Sequence, residues 1–449
     1  MKDVNQFKGM KVLVLGLAKS GYAAAHLLRS LGAVVTVNDA KPEEGNAEAA
    51  SLKEEGIRVI CGGHPEGILD EGYKLIVKNP GIPYSNPVVV DAVQKGISVW
   101  TEIELTYRIS EAPIIGITGS NGKTTTTTLL YHMLNIAKKQ PLIAGNIGTV
   151  SCTVGEKAKN DNIIVLEASS FQLMGIDSFR PRIAIWTNLY DSHLDYHGSS
   201  EGYAEAKAGI TKNQTVDDYF IYNFDQPELR AYAERSAAIK IPFSLFGRTE
   251  KGISADDEQI YWDGVPYVSR SIIKLPGQHN LENILAATAA AILCGCDKSS
   301  IENVLISFTG VRHRMQFVKE LKGRKFYNDS KATNTLATKS ALAAFSMPTV
   351  LLAGGLDRGH SFEELRPHMG NVKAVIALGE TAERFSEFVK SCGITEVFCA
   401  TDMRDAVRES YSHTEPGDII LLSPSCASWD QYTNFEARGD AFIDSVMSL

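Results

Sequence analysis

The sequence has no long apolar run and no excess of positive charge. No stretch approaches the roughly 18 consecutive apolar residues of a membrane-spanning helix. The opening segment, MKDVNQFKGMKVLVLGLAKSG, has charged and polar residues early and only a short apolar run, which is not the pattern of a signal peptide. The formal net charge of −8 argues against a general nucleic-acid or membrane-surface binder, because those partners select basic faces. We therefore expect a soluble cytoplasmic protein in which any phosphate site is local.

Cysteine is sparse and has no metal-site spacing. Zinc sites commonly use paired CxxC motifs, and an extracellular disulfide framework uses an even number of cysteines. Here the number is odd, and the positions are 61, 152, 294, 296, 392, 399 and 426. We expect reduced thiols in a cytosolic interior.

Short β-branched runs alternate with helical stretches in three successive regions of the 449-residue chain. The length exceeds what one hydrophobic core usually organises, and this alternation is typical of βαβ units with parallel sheets. Pro113 and Gly310 mark the two joints, because proline and glycine interrupt regular elements. The sequence thus predicts an α/β protein of three domains, with boundaries 1–110, 111–310 and 311–449.

A glycine-rich loop is the strongest local motif. Residues 116–124 read GITGSNGKT and lie between an apolar strand and a helix-forming segment. Glycines let the backbone wrap around phosphates, Lys123 can neutralise terminal phosphate charge, and Thr124 can ligate magnesium. The general pattern has glycine where this chain has Ile117, so the sequence predicts a variant triphosphate-binding loop.

Several segments together resemble the Mur ligases, and they occur in the order expected for that family along essentially the whole chain. The segments are TGSNGKT at 118–124, NIGT at 146–149, LEASSFQL at 166–173, NLYDSHLDYH at 188–197, GQHNLEN at 277–283, HRMQ at 313–316, NDSKATN at 328–334 and LLSPSCASWDQYTNFEARG at 421–439. The last two are similar to the D-glutamate-adding branch. The Asp-Asn-Pro-Arg-like motif of the lysine- and diaminopimelate-adding branches is absent from the sequence.

The resemblance implies an ATP-dependent amide ligase. A carboxylate of UDP-N-acetylmuramoyl-L-alanine would take the γ-phosphoryl group of ATP, and the amine of D-glutamate would attack the resulting acyl phosphate. Such chemistry needs metal ions and cationic groups that screen charge and hold the nucleophile in line. The resemblance implies an N-terminal Rossmann-like domain for the UDP substrate, a central P-loop-type ATPase domain and a C-terminal Rossmann-like domain. We expect a monomer, although the sequence itself does not reveal the oligomeric state.

Four residues are expected at the reacting centre. The resemblance implies two Mg²⁺ sites with Thr124, Glu167, His193 and a carbamylated Lys207 as ligands, and it implies that Lys123, Glu167, His193 and Lys207 are catalytic. Carbamylation requires a neutral amine, so the pKa of Lys207 must fall well below its usual value near 10.4. Without the resemblance, Glu167 reads equally well as a helix cap, and His193 and Lys207 read as exposed side chains.

The ATP contacts implied by the resemblance come from the glycine-rich loop and from two later segments. Asparagine offers a donor and an acceptor to an adenine edge, an aspartate can bind ribose hydroxyls, and an arginine can bind phosphates. The expected contacts are Gly119, Ser120, Asn121, Gly122, Lys123, Thr124, Thr125, Asn280, Asn283, Arg314 and Asp329. Helix capping remains an alternative for the two later asparagines.

The first strand-to-helix turn, GLAKSG at 16–21, is assigned by the resemblance to the diphosphate of the uridine nucleotide. Ala18 stands where the second glycine of a dinucleotide-binding motif belongs, which disfavours a dehydrogenase. Asp39, at the end of the next strand, is expected near the uridine. The full set of expected UDP-substrate contacts is Gly16, Leu17, Lys19, Ser20, Asp39, Asn79 and Asn146.

The D-glutamate pocket must offer cations and hydroxyl groups to two carboxylates. The residues at the family's positions are Lys331, Thr333, Arg358, Ser428 and Phe435, the last through its backbone. Some relatives have lysine at position 358, so the guanidinium changes the geometry while it retains the charge.

Two alternatives remain open. One is another amide ligase of the same superfamily, such as a folylpolyglutamate synthase, although residues 1–110 supply a nucleotide domain that those enzymes lack. The other is a regulatory protein that binds nucleotide without chemistry. Evidence against it is the joint presence of five residues: Lys123, Glu167, His193, Lys207 and Lys331.

Overall fold

The structure is a computed structural model that describes residue 2 and residues 4–44, 46–247 and 250–449. The chain divides into two compact units, Met1–Ser307 and Phe308–Leu449. In the described ranges, the first unit contains two separate sheets and the second contains one. The α/β class with parallel sheets is confirmed, whereas the three-domain boundaries stay predictions.

The N-terminal sheet is parallel, with the strand order β3-β2-β1-β4-β5. Its strands are β1 Lys11–Leu15, β2 Val34–Asp39, β3 Arg58–Cys61, β4 Leu75–Lys78 and β5 Ser98–Trp100. The central strands β1 and β4 are buried almost throughout, because helices cover both faces, and they read as continuous apolar runs. The strand order reverses between β1 and β4, where open α/β sheets bind ligands at the carboxyl ends of the strands.

The central sheet of the first unit has the order β14-β13-β12-β11-β10-β9-β6-β8-β7 within the described residues. Its strands are β6 Ile114–Thr118, β7 Pro141–Gly145, β8 Ile163–Glu167, β9 Ile183–Trp186, β10 Tyr219–Asn223, β11 Ile239–Ser244, β12 Ile253–Ala255, β13 Gln259–Trp262 and β14 Val265–Ser269. In this spatial order, each strand from β7 across to β12 is parallel to the next. The strands β12, β13 and β14 form an antiparallel meander. The carboxyl ends of β6 and β8 therefore meet at one edge.

The helices of the first unit cover its two sheets. They are α1 Lys19–Ser30, α2 Ala47–Glu54, α3 Pro87–Gln94, α4 Glu102–Ile109, α5 Lys123–Ile136, α6 Ser151–Lys157, α7 Ser170–Leu173, α8 Leu194–His197, α9 Ser200–Ala208, α10 Pro227–Arg235, α11 Gln278–Leu293 and α12 Lys298–Ser307. Short 3₁₀ helices lie at Asn5–Phe7, Ile68–Glu71, Gly209–Thr211 and Arg270–Ile272. Helices α5 and α11 pack against each other, so the start of α11 lies near the glycine-rich loop.

The second unit has the sheet order β15-β16-β20-β17-β18-β19. Its strands are β15 Gln316–Leu321, β16 Arg324–Asn328, β17 Thr349–Gly354, β18 Val372–Leu378, β19 Val397–Cys399 and β20 Ile419–Leu422. Its helices are α13 Thr335–Leu342, α14 Ala382–Ser391, α15 Met403–Ser412 and α16 Phe435–Met447, with a 3₁₀ segment at Glu363–Asn371. Strands β15 and β16 form an antiparallel hairpin. The other neighbouring pairs of the sheet are parallel, namely β16–β20, β20–β17, β17–β18 and β18–β19.

All seven cysteines are free thiols. Among the residues that the structure describes, no helix is long and apolar enough to cross a bilayer.

Candidate active site

The glycine-rich loop runs from the end of β6 to the start of α5, and two of its glycines have left-handed or extended positive φ angles. Gly119 has φ +149°, and a Cβ there would lie 2.0 Å from the Thr187 Oγ1 atom. Gly122 has φ +78° and immediately precedes α5, and a Cβ there would lie 2.0 Å from Asn283 Oδ1. Both positions therefore require glycine, because the backbone conformation and the available space exclude a side chain.

The loop is held from the segment after β9. The Ser120 N–H donates to the Asn188 carbonyl oxygen at 3.0 Å, and the Asn121 N–H donates to Asn188 Oδ1 at 2.8 Å. The Thr187 hydroxyl donates to the Asn121 carbonyl at 2.7 Å. These bonds fix the conformation of the loop, which presents its residues at the N-terminal end of α5, where anions bind favourably. Thr124 is buried in the first turn of that helix and Thr125 is half-buried beside it.

Two lysines converge on one carbonyl oxygen of this loop. Lys123 Nζ donates to the carbonyls of Gly119 at 2.8 Å and of Ser120 at 3.0 Å. Lys207 Nζ, on α9, also donates to the Gly119 carbonyl at 2.8 Å. The Lys207 side chain is buried, with 1% of the residue exposed. The alternative of an exposed surface lysine is therefore wrong.

The surroundings of Lys207 favour its neutral form. Burial lowers the pKa of Lys207 well below its usual value, and the positive charge of Lys123 lowers it further, while Glu167 acts in the opposite direction. The Lys207 ammonium nitrogen also lies 4.5 Å from the centre of the Tyr203 ring. The amine can therefore lose its proton more readily than an exposed lysine, which is the condition that carbamylation sets.

Glu167 is the last residue of β8 and is 1% exposed. Its Oε1 accepts a hydrogen bond from Asn146 Nδ2 at 2.9 Å. Its Oε2 is also buried and has no hydrogen-bond partner among the residues that the structure describes. A buried carboxylate oxygen without a donor is costly unless a cation satisfies it. Glu167 thus fits a metal ligand.

His193 lies in the loop before α8 and is exposed, with φ +54°. Its ring meets Phe171 edge-on, with the centroids 5.0 Å apart, and lies 6.2 Å from the Tyr203 ring. Within the described residues, no group of three or more His, Cys, Asp or Glu side chains is arranged to hold a metal. The expected ligand set does not depend on such a group, since it includes a threonine and a modified lysine.

The asparagines of α11 lie beside the glycine-rich loop. The Thr126 hydroxyl, on α5, donates to Asn283 Oδ1 at 3.3 Å, and Asn280 Nδ2 donates to the Pro276 carbonyl at 2.6 Å. A cavity of about 720 Å³ opens at the start of the same helix, with Gly277 and Leu281 in its wall. Its volume is within the range of small-molecule pockets. Asn283 is buried against the loop, whereas Asn280 stays half-buried.

The expected UDP contacts meet at the carboxyl ends of β1, β2 and β4. The Leu17 N–H donates to Asp39 Oδ2, and Asp39 Oδ1 accepts from the Lys41 N–H at 2.8 Å. Asn79 Nδ2 donates to the Ser20 hydroxyl at 3.0 Å. Both carboxylate oxygens of Asp39 thus accept hydrogen bonds from loop backbone, one after β1 and one after β2. Gly16 is buried at the turn, Lys19 is exposed, and Asn146 lies apart from this group in the loop after β7, bonded to Glu167.

In the second unit, Asp329 follows β16 and is 7% exposed. It accepts hydrogen bonds from the Met315 N–H at 3.1 Å and from the Ser423 hydroxyl at 3.0 Å. Burial raises the pKa of Asp329 to about 7. Arg314, beside Met315, is exposed and lowers this pKa by a smaller amount.

The expected D-glutamate residues form two groups at the carboxyl ends of the strands of this sheet. Lys331 Nζ lies 5.1 Å from the centre of the Phe435 ring, and Thr333 is two residues further along the same loop. Arg358, which is exposed, stacks over Trp429 at 4.9 Å, next to the buried Ser428.

Three further residues support these sites. Asn188 holds the glycine-rich loop, and Tyr203 donates from its hydroxyl to Ser120 Oγ at 3.2 Å. Arg438 is 3% exposed and donates to the carbonyls of Ser330 at 2.9 Å and Cys426 at 3.0 Å. Tyr203 could have been noticed from its spacing, because it lies four residues before Lys207 on one helix face. Asn188 and Arg438 act through loops that are distant in sequence.

This architecture is that of a multidomain α/β protein whose central sheet carries a glycine-rich loop. Three family models match the chain: the Mur ligase MurD-like, N-terminal domain at residues 10–101, the Mur ligase middle domain at 117–291, and the Mur ligase, glutamate ligase domain at 313–426. The chain belongs to the Mur ligase family.

The chain is similar over its full length to curated relatives named UDP-N-acetylmuramoylalanine–D-glutamate ligase. It is 55% identical to that of Geobacillus sp. (strain WCH70), 54% to that of Geobacillus kaustophilus and 52% to that of Bacillus cereus (strain AH187), with 100% of each chain covered. Among solved structures, UDP-N-acetylmuramate-alanine ligase MurC from Thermotoga maritima matches with TM-score 0.59 and 19% identity over 98% of this chain and 99% of that one. MurF ligase from Thermotoga maritima in complex with ADP matches with TM-score 0.58 and 18% identity over 100% of both. These structures share the fold.

Proposed function

We propose that this chain is an ATP-dependent ligase that joins D-glutamate to UDP-N-acetylmuramoyl-L-alanine and releases ADP and phosphate, in peptidoglycan biosynthesis. One arrangement carries the proposal from geometry: Lys123 and Lys207 converge on the Gly119 carbonyl, and Glu167 has a buried oxygen without a hydrogen-bond partner in the described part of the chain. The relatives that are more than half identical over the whole chain bear the name of this activity.

The chemistry has two steps. A carboxylate oxygen of the UDP substrate attacks the γ-phosphorus of ATP, and ADP leaves. The amine nitrogen of D-glutamate then attacks the acyl carbon and loses a proton, and phosphate leaves as the amide bond forms. Negative charge gathers in both steps, so the chain must supply positive charge and orientation.

Within this proposal, residues 119–125, from the glycine-rich loop into the first turn of α5, bind the ATP phosphates, and Lys123 neutralises the terminal phosphate. Asn280, Asn283, Arg314 and Asp329 bind the rest of the nucleotide. Thr124, Glu167, His193 and a carbamylated Lys207 would hold Mg²⁺, which when bound screens phosphoryl charge. The neutral Lys207 amine forms the carbamate by attacking the carbon of CO₂ and losing one proton.

The remaining assignments follow the same proposal. The loops of Gly16, Leu17, Lys19, Ser20, Asp39, Asn79 and Asn146 bind the UDP substrate. Lys331, Thr333, Arg358, Ser428 and the Phe435 backbone bind D-glutamate. We also propose a cytoplasmic monomer of three domains with boundaries at 110 and 310, which sedimentation and limited proteolysis can test.

The test of the activity is phosphate release from ATP in the presence of UDP-N-acetylmuramoyl-L-alanine, compared between D-glutamate, L-glutamate, L-lysine and D-alanyl-D-alanine. We expect release, and a product heavier by one glutamate residue, with D-glutamate alone. The Lys123→Ala variant should release no phosphate. Selective activity with another amino acid would overturn the proposed substrate, and no release with any of them would favour a regulatory protein that binds nucleotide.

A further inference from the structure

The loop that follows β4 receives hydrogen bonds from two sides. Its carbonyls at Pro80 and Ile82 accept from Lys78 Nζ at 3.2 and 2.9 Å. The same two carbonyls accept from the Tyr196 hydroxyl at 3.3 and 3.0 Å. Lys78 ends a strand of the N-terminal sheet, whereas Tyr196 lies in α8, after the central sheet's strand β9. One short loop therefore connects the two sheets of the first unit.

Lys78 is an unusual donor because it is 1% exposed. Burial lowers its pKa to about 8, and the nearby Glu102 raises it by a smaller amount. The ammonium nitrogen lies 5.0 Å from the centre of the Tyr84 ring. A buried cation is tolerated only where acceptors satisfy it, and the two carbonyls of the loop are the acceptors here. The position of the loop is therefore coupled to the position of Lys78.

The loop begins with Asn79, which is hydrogen-bonded to the end of β1 and to the first turn of α1. Its N–H donates to the Leu15 carbonyl at 2.8 Å, its Nδ2 donates to Ser20 Oγ at 3.0 Å, and its Oδ1 accepts from the Gly81 N–H at 3.0 Å. Ser20 and Asn79 are both expected contacts of the UDP substrate. The loop therefore begins at residues that are proposed to bind the UDP substrate.

Tyr196 fixes the other end. Its ring meets Phe171 edge-on with centroids 4.5 Å apart, and Phe171 meets His193 at 5.0 Å. Phe171 lies in α7, four residues after Glu167 along the chain. The Tyr196 hydroxyl thus links the 79–82 loop to the segment that carries His193.

We propose that Lys78 and Tyr196 are positioning residues that hold the 79–82 loop and so set the UDP substrate relative to the Glu167 and His193 segments. The inference rests on the proposed function and extends it to two residues with no direct part in the reaction. A UDP substrate bound by these residues must place its carboxylate within reach of the γ-phosphate. Small displacements of bound reactants lower reaction rates strongly.

The test uses the full chain with Lys78→Met and Tyr196→Phe, which keep side-chain volume and remove the donors. We expect KM for UDP-N-acetylmuramoyl-L-alanine to rise about 10-fold in each, the size of one lost hydrogen bond, while KM for ATP stays unchanged. A merely structural defect would lower kcat through loss of folded protein and leave both KM values alone. Calorimetric titration of the UDP substrate without ATP should show the same loss of affinity.

Tyr84→Phe is the matched control. The Tyr84 hydroxyl also joins the two sheets, since it donates to the Met174 carbonyl at 2.8 Å, but it does not bind the carbonyls of Pro80 and Ile82. We expect its KM values to equal those of the wild type. An equal rise in KM in Tyr84→Phe, or no rise in Tyr196→Phe, would overturn the inference.

Two outcomes separate this inference from the proposed function. If Lys78→Met fails to fold, Tyr196→Phe decides, because its ring packing is retained. If the wild type binds the UDP substrate but ligates no amino acid, the proposed function fails and the titration alone judges the two variants. If the wild type does not bind the UDP substrate, both proposals are overturned.

Discussion

Lys78 and Lys207 are two lysines with the same exposure, 1%, in the same unit, and they have different surroundings. Lys207 donates to a single carbonyl and lies near Lys123, whereas Lys78 donates to two carbonyls and lies near Glu102. Burial lowers the pKa of both. For Lys207 the neighbouring cation lowers the pKa further, and for Lys78 the carboxylate of Glu102 opposes the change.

The two sites show that a buried lysine can act either as a charged hydrogen-bond donor or as a free amine. With a pKa of about 8, Lys78 remains mostly protonated at pH 7 and acts as a donor to its loop. Lys207 loses its proton more readily than an exposed lysine and is suited to a reaction that needs a free amine. Burial lowers the pKa of a lysine, and the sign of the neighbouring charge decides whether the pKa falls further or is partly raised again.

The largest expected effect is that of Lys207→Ala. We expect kcat for phosphate release to fall by at least about 100-fold, because a charge-stabilising group at the reacting centre is lost. Incubation with ¹³C-labelled bicarbonate should give a carbamate signal in the ¹³C spectrum of the wild type and none in the variant. Lys78→Met is the control, and it should keep the signal. An active Lys207→Ala, or a carbamate signal that depends on Lys78, would reverse the assigned roles of the two lysines.

Lys123→Met tests the role of the neighbouring cation. Removal of that charge should raise the pKa of Lys207, so the pH at which the carbamate half-forms should move upward. The ¹³C signal measured against pH gives this midpoint. Lys95→Met, which removes an exposed cation paired with Asp70 and Asp91, should leave it unchanged. A midpoint that is the same in Lys123→Met would leave burial as the only cause.

Local sequence patterns predicted the class of fold and the glycine-rich loop. The apolar strands are contiguous, and the loop's conformation depends on glycines inside the motif itself, so both are readable along the chain. The family was also predicted correctly from the ordered motifs, and the site residues carried over from it stay predictions. The antiparallel strands β12 to β14 and the hairpin of β15 were not predicted, since short edge strands leave a weak pattern.

The electrostatic details could not be predicted. Lys207 reads as one more lysine of a polar helix, and its burial depends on how α9 packs under the glycine-rich loop, 88 positions away in sequence from Gly119. Asn146 donates to one oxygen of Glu167, and the other has no hydrogen-bond partner among the residues that the structure describes. The bonds from Tyr196 to the loop that Lys78 also holds join residues more than 100 positions apart. Such contacts arise from tertiary packing, which no local motif encodes.

Lys78→Met should change how stability depends on pH. The pKa of Lys78 is about 8 in the folded chain, against 10.5 for an ordinary exposed lysine. Between these values the unfolded chain binds more protons, so the contribution of Lys78 to stability is lost as pH falls through 8 and is fully present above 10.5. The free energy of unfolding of the wild type, relative to Lys78→Met, should therefore rise by about 3 kcal/mol across this window. Urea unfolding at a series of pH values measures it, and a constant difference would contradict the low pKa.

The smallest effect is expected at the outer side of α9. Glu205 accepts from Arg235 at 2.7 and 3.0 Å and from the Tyr232 hydroxyl at 3.2 Å, two residues before Lys207 in sequence. Both members of the ion pair are about half exposed, 48% and 57%, so water screens their attraction. Glu205→Gln should lower the free energy of unfolding by no more than about 0.5 kcal/mol and leave the ¹³C carbamate signal unchanged. A lost signal would mean that the position of α9, and with it the state of Lys207, depends on this surface pair. The contrast with Lys78 would then lie in how each lysine is anchored, and no longer in the charges beside them.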